Sequence, residues 1–301
     1  MEIYNQLEEI FDRRGVFANE PLSKHTTFKI GGVADFFVTP RDIPSLRLVI
    51  SLCKQNDLPY YIIGNGSNLL VGDKGFRGVI IQIFNPISQV ELVGDCILVE
   101  AGALLSKIAN IALKHQLKGF EFAAGIPGTF GGAVMMNAGA YGSEMKGVIQ
   151  SVRVLDEDGE IRTLSVDELE LGYRTSILKT KPYLVIDGIL RLEKGSRKEI
   201  FDLMENYNGR RVSKQPLELP SAGSTFKRPK GHYAGKLIAD AGLGGLRVGD
   251  AQVSEKHCGF IVNRGNATAA DVVALMRQIT ERVEKEYGVL LEPEVKFIGE
   301  F

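Results

Sequence analysis

Glycine accounts for 34 of 301 residues, and where it clusters limits this chain more than how much of it there is. One cluster, Gly64-Asn65-Gly66-Ser67-Asn68, follows the apolar run Tyr60 to Ile63, and a second spans Gly125 to Gly142, where six of 18 residues are glycine. Without Cβ atoms in the way, consecutive backbone N–H groups can converge on one anion. The same composition also makes a tight turn, so the first loop alone leaves both readings open. Its companion Gly125-Ile126-Pro127-Gly128-Thr129-Phe130-Gly131-Gly132-Ala133 shifts the balance, because two cradles in one domain suit a diphosphate held from both sides, as in an adenine dinucleotide. Neither loop is a G-x-x-x-x-G-K-[ST] motif or a G-x-G-x-x-G turn followed by an acid about 20 residues on. P-loop phosphotransfer and a Rossmann site are therefore disfavoured.

The remaining composition excludes several classes. At 44% hydrophobic and 24% charged the chain is near the soluble average, and its length favours two domains. No apolar run approaches the roughly 18 residues of a bilayer helix, and the start (Glu2, Glu8, Glu9) lacks a basic-then-apolar signal pattern, so a cytoplasmic protein is expected. Cys53, Cys96 and Cys258 are odd in number and widely spaced, which argues against disulfides and zinc; His25, His115, His232 and His257 show no ligand spacing, and no metal is expected. With 36 basic and 37 acidic residues no global field attracts nucleic acid or membrane. Seven basic residues nevertheless fall between Gly209 and Lys236 (Arg210, Arg211, Lys214, Lys227, Arg228, Lys230, Lys236) against one acid, Glu218. That segment is either a local anion site or a solvated stretch.

Ile3, Leu7, Ile10 and Phe11 predict an opening amphipathic helix, Thr27 to Pro40 a strand broken at Gly31-Gly32, and Asp42 the cap of a helix leading to strand Tyr60–Ile63. Gly94-Asp95 and Asp158-Gly159 read as hairpin turns, Leu104 to His115 as a helix, and Ser165-x-x-Glu168 has the spacing of a capping box. The pattern changes at Lys194-Gly195, where Ser196-x-x-Glu199 opens a helix to about Arg211. A helix begun by Thr268 and ended by Gly288, then a strand from Val289 to Ile298, close the chain.

Four strings, Ile30-Gly31-Gly32-x-Ala34-Asp35, Gly64 to Leu70, Gly125 to Ala133 and Asn137 to Gly142, resemble the UDP-N-acetylenolpyruvoylglucosamine reductase family in order. The likeness continues through Tyr173-Arg174-x-Ser176, Ala222-Gly223-Ser224-x-Phe226 and Glu294-Val295. The resemblance implies an α+β protein: a p-cresol-methylhydroxylase-type FAD domain over 1–194, with lobes of about 1–70 and 71–194, and a smaller substrate domain over 195–301. It also implies reduction of UDP-N-acetylglucosamine enolpyruvate with NADPH, in the cytoplasm and as a monomer. FAD would be held by Gly64, Asn65, Gly66, Ser67, Asn68, Gly125, Pro127, Gly128, Thr129, Gly131, Gly132 and Ala133.

By the same resemblance, Arg174 steadies a developing enolate, Ser224 donates the proton, and Glu294 orients Arg174 or shares a proton. Tyr173, Lys214, Arg228, Lys236 and Glu255 are the expected substrate contacts. Arg228 stands where the family pattern has Asn. The short stretch from Ser176 to Leu184 has no room for the loop with which longer members cover the substrate, which places this chain with the shorter subclass. Two rivals remain: a same-fold FAD oxidase of a sugar or hydroxy acid, and a nucleotide-sugar binding protein without catalysis.

Overall fold

Alternating apolar residues build a five-stranded antiparallel sheet in the order Ile161–Ser165, Ile149–Leu155, Leu184–Arg191, Cys96–Glu100, Val90–Val93. The expected hairpins close as Val93 opposite Cys96 and Leu155 opposite Ile161, with Gly94 and Gly159 at positive φ. The computed structural model describes residues 2–11 and 15–301. Its packing separates two units: Met1–Val16, Val38–Asn65 and Ile81–Arg211 make the first, and Phe17–Phe37, Gly66–Ile80 and Val212–Phe301 the second.

Helices of the first unit are α1 (Glu2–Phe11), α2 (Ile43–Gln55), α3 (Leu105–Lys114), α4 (Phe130–Met136) and most of α5 (Arg197–Lys214). Asp42 caps α2 as expected, its carboxylate accepting the Ser45 N–H at 2.8 Å. Phe130 of α4 is fully buried and lies on the sheet where Gly188 leaves room; a Cβ there would come within 2.7 Å of its ring. The part of the second glycine cluster read as an open loop is therefore half helix. Its Gly131, Gly132 and Ala133 sit in the first turn of α4.

In the second unit, Ser221–Ser224, Phe260–Asn263, Ala251–Val253 and Arg247–Val248 form an antiparallel sheet under α6 (Ala234–Asp240) and α7 (Ala269–Tyr287). Phe28, Ile30 and Leu70 share its core with Val253, Ile261, Val272, Leu275 and Ile279. This explains why the packing does not follow a single cut at Lys194-Gly195. Residues from the N-terminal third supply that core, while Gly195 N–H bonds to Gln116 O at 2.9 Å and Tyr207 of α5 stacks on Tyr141 at 4.2 Å in the first unit.

Other expectations are corrected locally. Thr27 to Gly32 is irregular, and the strand begins only at Val33. Ser165 and Glu168 make the reciprocal bonds of a capping box, but turns follow instead of a helix. Of the expected strand from Val289, only Lys296–Ile298 forms, parallel to Leu69–Val71, while Pro293 makes an isolated antiparallel bridge with Phe226.

The N-terminus of α7 is fastened twice. Thr268 and Asp271 form a capping box, and Asp73, distant in sequence, accepts the Ala269 and Ala270 N–H groups at 2.7 and 2.9 Å. Replacing Asp73 with Ala leaves both donors to water and should lower stability by about 1–2 kcal/mol. Urea denaturation should show this as a lower midpoint at unchanged slope; an unchanged midpoint would mean the box suffices.

Candidate functional site

Gly64 and Asn65 of the first glycine cluster meet the second cluster within the first unit. Asn65 Nδ2 donates to Pro127 O at 2.7 Å, and a Cβ on Gly64 would fall 2.2 Å from Thr129 Oγ1. Thr129 is buried and precedes α4, while its neighbours are engaged: Phe130 and Gly131 donate to Ala103 and Ala101 carbonyls, both at 2.8 Å. Among the described residues no protein acceptor takes the N–H groups of Gly128, Thr129 or Gly132, nor any of the five from Gly64 to Asn68. Amides left unbonded in partly exposed loops are a donor set for an anion, and uncharged dipoles of this kind suit phosphate esters. Gly66, at φ +62°, lies so close to the chain that a Cβ would meet His25 O at 2.1 Å. An adenine dinucleotide fits this donor set.

The far end of the first loop belongs to the second unit, where it is tied to the C-terminal residues. Asn68 Nδ2 donates to Glu294 O at 3.3 Å, and Lys296 N–H to Asn68 O at 2.9 Å. Glu294 N–H in turn donates to Thr225 O at 2.8 Å, so Glu294 and Ser224 flank one backbone junction. Pairing shifts between Ser221 and Ser224 through Gly223, at φ +75°. Such a bulge re-aims the next side chain, and Ser224 is exposed while Thr225 and Phe226 are buried. Thr225 Oγ1 accepts the Ile261 N–H at 3.1 Å and locks the junction to the sheet. Glu294, expected in a strand, is instead half-buried just before one.

Arg174 belongs to the first unit. No helix precedes it; Gly172 and Thr175 exchange both backbone bonds, at 3.1 and 3.2 Å, leaving Tyr173 and Arg174 as a two-residue turn with Arg174 at φ +54°. Three contacts enforce this unusual backbone. Asn137, fully buried and left-handed at the end of α4, donates to Gly172 O at 3.0 Å; Ser176 Oγ donates to Met135 O at 2.8 Å; and Lys179 Nζ donates to Arg174 O. Arg174 Nη2 reaches Gly139 O at 3.4 Å, and its guanidinium lies 5.1 Å from the Tyr173 ring.

The expected substrate residues of the second unit, Lys214, Arg228, Lys236 and Glu255, are all exposed. Lys236 pairs with Asp240 at 2.8 Å, which raises its pKa, and Arg228 lies 4.0 Å from the Tyr233 ring. Cys53 is buried, its thiol pushed up to about 11 by desolvation, and so is held from reaction at neutral pH. Sequence reasoning gave no individual role to Asn137, which it named only within a motif string, or to Thr225. Only Asn137 carried a signal, as an Asn at a helix end before a glycine-rich turn.

Asn137→Ala would strand the Lys146 N–H that bonds Asn137 Oδ1 at 2.9 Å and leave Gly172 O only its bond from the Thr175 N–H. The expected cost is about 2–4 kcal/mol, read by urea unfolding. Asn137→Gly, which tolerates the backbone, should lose about 1 kcal/mol less; equal losses would remove the left-handed geometry from the account.

Two family models match, one described as an FAD binding domain over residues 34–165 and the other as the C-terminal domain of UDP-N-acetylenolpyruvoylglucosamine reductase over 215–298. The Alkaliphilus oremlandii UDP-N-acetylenolpyruvoylglucosamine reductase is 52% identical over 300 residues, covering 100% of this chain and 99% of its own. The crystal structure of UDP-N-acetylenolpyruvylglucosamine reductase from Thermus caldophilus superposes with a TM-score of 0.80 at 36% identity, over 94% of this chain and 97% of that one. Phl p 4.0202, a glucose dehydrogenase, shares the fold alone: TM-score 0.51 at 14% identity, over 65% of this chain and 45% of its own.

Proposed function

The chain belongs to the UDP-N-acetylenolpyruvoylglucosamine reductase family, and we propose from that premise how its own residues carry the family reaction. It is an FAD enzyme that reduces UDP-N-acetylglucosamine enolpyruvate to UDP-N-acetylmuramate with NADPH, in peptidoglycan precursor synthesis. The supporting observation is the row of unbonded amides from Gly64 to Asn68, with Asn68 fastened to the Glu294 carbonyl and Glu294 to Thr225. That chain of bonds runs from a cofactor loop to the residues beside Ser224. The cofactor is held mainly by residues before about Leu192, through the Gly64–Asn68 loop and the Gly125–Ala133 segment; the reaction takes place in the cytoplasm.

Bound FAD supplies hydride chemistry, with NADPH as the source of electrons. The rest falls to side chains. When hydride adds to the terminal carbon of the enolpyruvyl group, the double-bond electrons move to the ether-bearing carbon and its carboxylate. Arg174 meets that growing charge with two parallel N–H donors, in a turn whose backbone is fixed before substrate arrives. Ser224 gives its hydroxyl proton to the ether-bearing carbon, completing the lactyl ether, and the resulting alkoxide is reprotonated from water. Glu294, half-buried on the other side of the Thr225 junction, shares a proton with the developing enolate. Tyr173, Lys214, Arg228, Lys236 and Glu255 hold the nucleotide sugar, and Lys236 must exchange Asp240 for a phosphate to do so.

Ser224→Ala should leave the bleaching of the flavin bands by NADPH at its normal rate and slow their return with the enolpyruvyl sugar by about 10²–10⁴-fold. Stopped-flow absorbance separates the two half-reactions. Equal slowing of both would show that Ser224 shapes the site instead of donating a proton. Reoxidation by oxygen at the rate seen with the sugar would favour the oxidase alternative.

A further inference from the structure

Asn68 ends the first glycine cluster, and its side chain turns away from the loop that carries it. An asparagine in a turn ordinarily bonds a peptide group two residues on; Asn68 Nδ2 instead donates to Glu294 O, 226 residues later in the chain, at 3.3 Å. The N–H of Glu294 donates to Thr225 O at 2.8 Å, so the peptide groups on both sides of the Glu294 Cα are held. A residue has only two soft backbone dihedrals, and holding both groups sets the direction in which its side chain leaves the chain. No helix or strand does this in their place, because Glu294 follows the isolated bridge of Pro293 with Phe226 and precedes the strand Lys296–Ile298.

Stability alone does not account for the contact. From Asn68 O onward the same two segments are zipped by main-chain bonds: Lys296 N–H to Asn68 O at 2.9 Å, the parallel pairing of Leu69–Val71 with Lys296–Ile298, Gly72 N–H to Ile298 O at 2.9 Å, and Lys74 N–H to Glu300 O at 3.1 Å. One more neutral bond, longer than these, adds little to that run. What the run does not reach is the carbonyl of Glu294, two residues before the pairing begins, and that is the group the Asn68 side chain takes. On the other side of Glu294, the Thr225 junction carries Ser224, exposed at the bulge. Asn68, Glu294, Thr225 and Ser224 all belong to the second unit.

We propose that the Asn68 side chain is a positioning residue for the proton-transfer step: it aims the Glu294 carboxylate and, across the Thr225 junction, keeps it in register with Ser224. The Asn68 peptide N–H stays in the donor row of the loop, so one residue joins the cofactor end of the second unit to its proton-donating end. The inference rests on the proposed function for the part Glu294 plays in the reaction, but not for the clasp around its backbone.

The test uses the full-length holoenzyme carrying Asn68→Asp, which keeps the shape of the side chain but lacks its N–H donors, and Asn68→Ala. Both should retain FAD and be bleached by NADPH at the parent rate, while return of the flavin bands with the enolpyruvyl sugar slows by roughly five- to a hundredfold. In the steady state kcat should fall while the KM for the sugar stays within about twofold. Because Asn68 acts through Glu294, adding Asn68→Ala to Glu294→Gln should slow the second half-reaction no further than Glu294→Gln alone. Effects that multiply in the double variant would overturn the proposal, as would unchanged reoxidation in both Asn68 variants. Loss of flavin from both would overturn it too, by making the side chain a cofactor ligand. Glu294→Gln reacting at the parent rate would remove the proposed role of Glu294 itself, and this proposal with it; a slow Glu294→Gln beside fast Asn68 variants would sink the positioning role alone.

Discussion

Close approach of two backbones governs this structure. Gly64 and the Thr129 side chain sit so near that a single methyl group on the glycine would overlap the threonine oxygen, and Asn65 secures the contact by bonding Pro127. The loops are held by one side-chain amide and by the absence of another side chain, and the N–H groups of Gly64 to Asn68, Gly128 and Thr129 stay unspent among the described residues. A conventional turn would have bonded them internally. The donor set proposed for a diphosphate is therefore a consequence of how the loops pack.

The second unit obeys similar economy. Thr225 is buried and uses its carbonyl for Glu294 and its hydroxyl for Ile261, so the residues on either side are placed by main-chain bonds. Gly223 then turns Ser224 outward. In the first unit the Arg174 turn depends on Asn137, a residue buried for its two amide bonds. Arg174 in its turn, Ser224 at the bulged end of its strand and Glu294 just before a strand are thus each anchored by a buried polar neighbour, which gives these side chains a fixed geometry.

Much of this was readable from residues. Alternation and turn glycines located the five-stranded sheet and its hairpins, and Thr268 and Gly288 bounded α7 as drawn. Errors arose where long-range contacts override local pattern. Ser165 and Glu168 satisfy a capping box locally, yet the chain turns toward the Arg174 hairpin instead of entering a helix. Phe130-Gly131-Gly132 looks too glycine-rich for a helix, and becomes one because Phe130 is buried over Gly188. The change of composition at Lys194-Gly195 marks the entry to α5, not an edge of packing, since segments from the N-terminal third fill the second unit's core. The residues proposed for the site were legible as motifs, but the buried polar anchors Asn137, Thr225 and Asp73 were not, because a partner 35 to 197 residues away leaves no local trace.

The most direct measurement of the central claim is the FAD dissociation constant of Gly64→Ala, alone and with Thr129→Ala, by flavin fluorescence titration. The overlap predicts at least about tenfold weaker binding in the single variant, with part of the affinity returned when the threonine side chain is removed. Unchanged affinity in Gly64→Ala, or further loss in the pair, would show that the close approach of the two loops does not hold the cofactor.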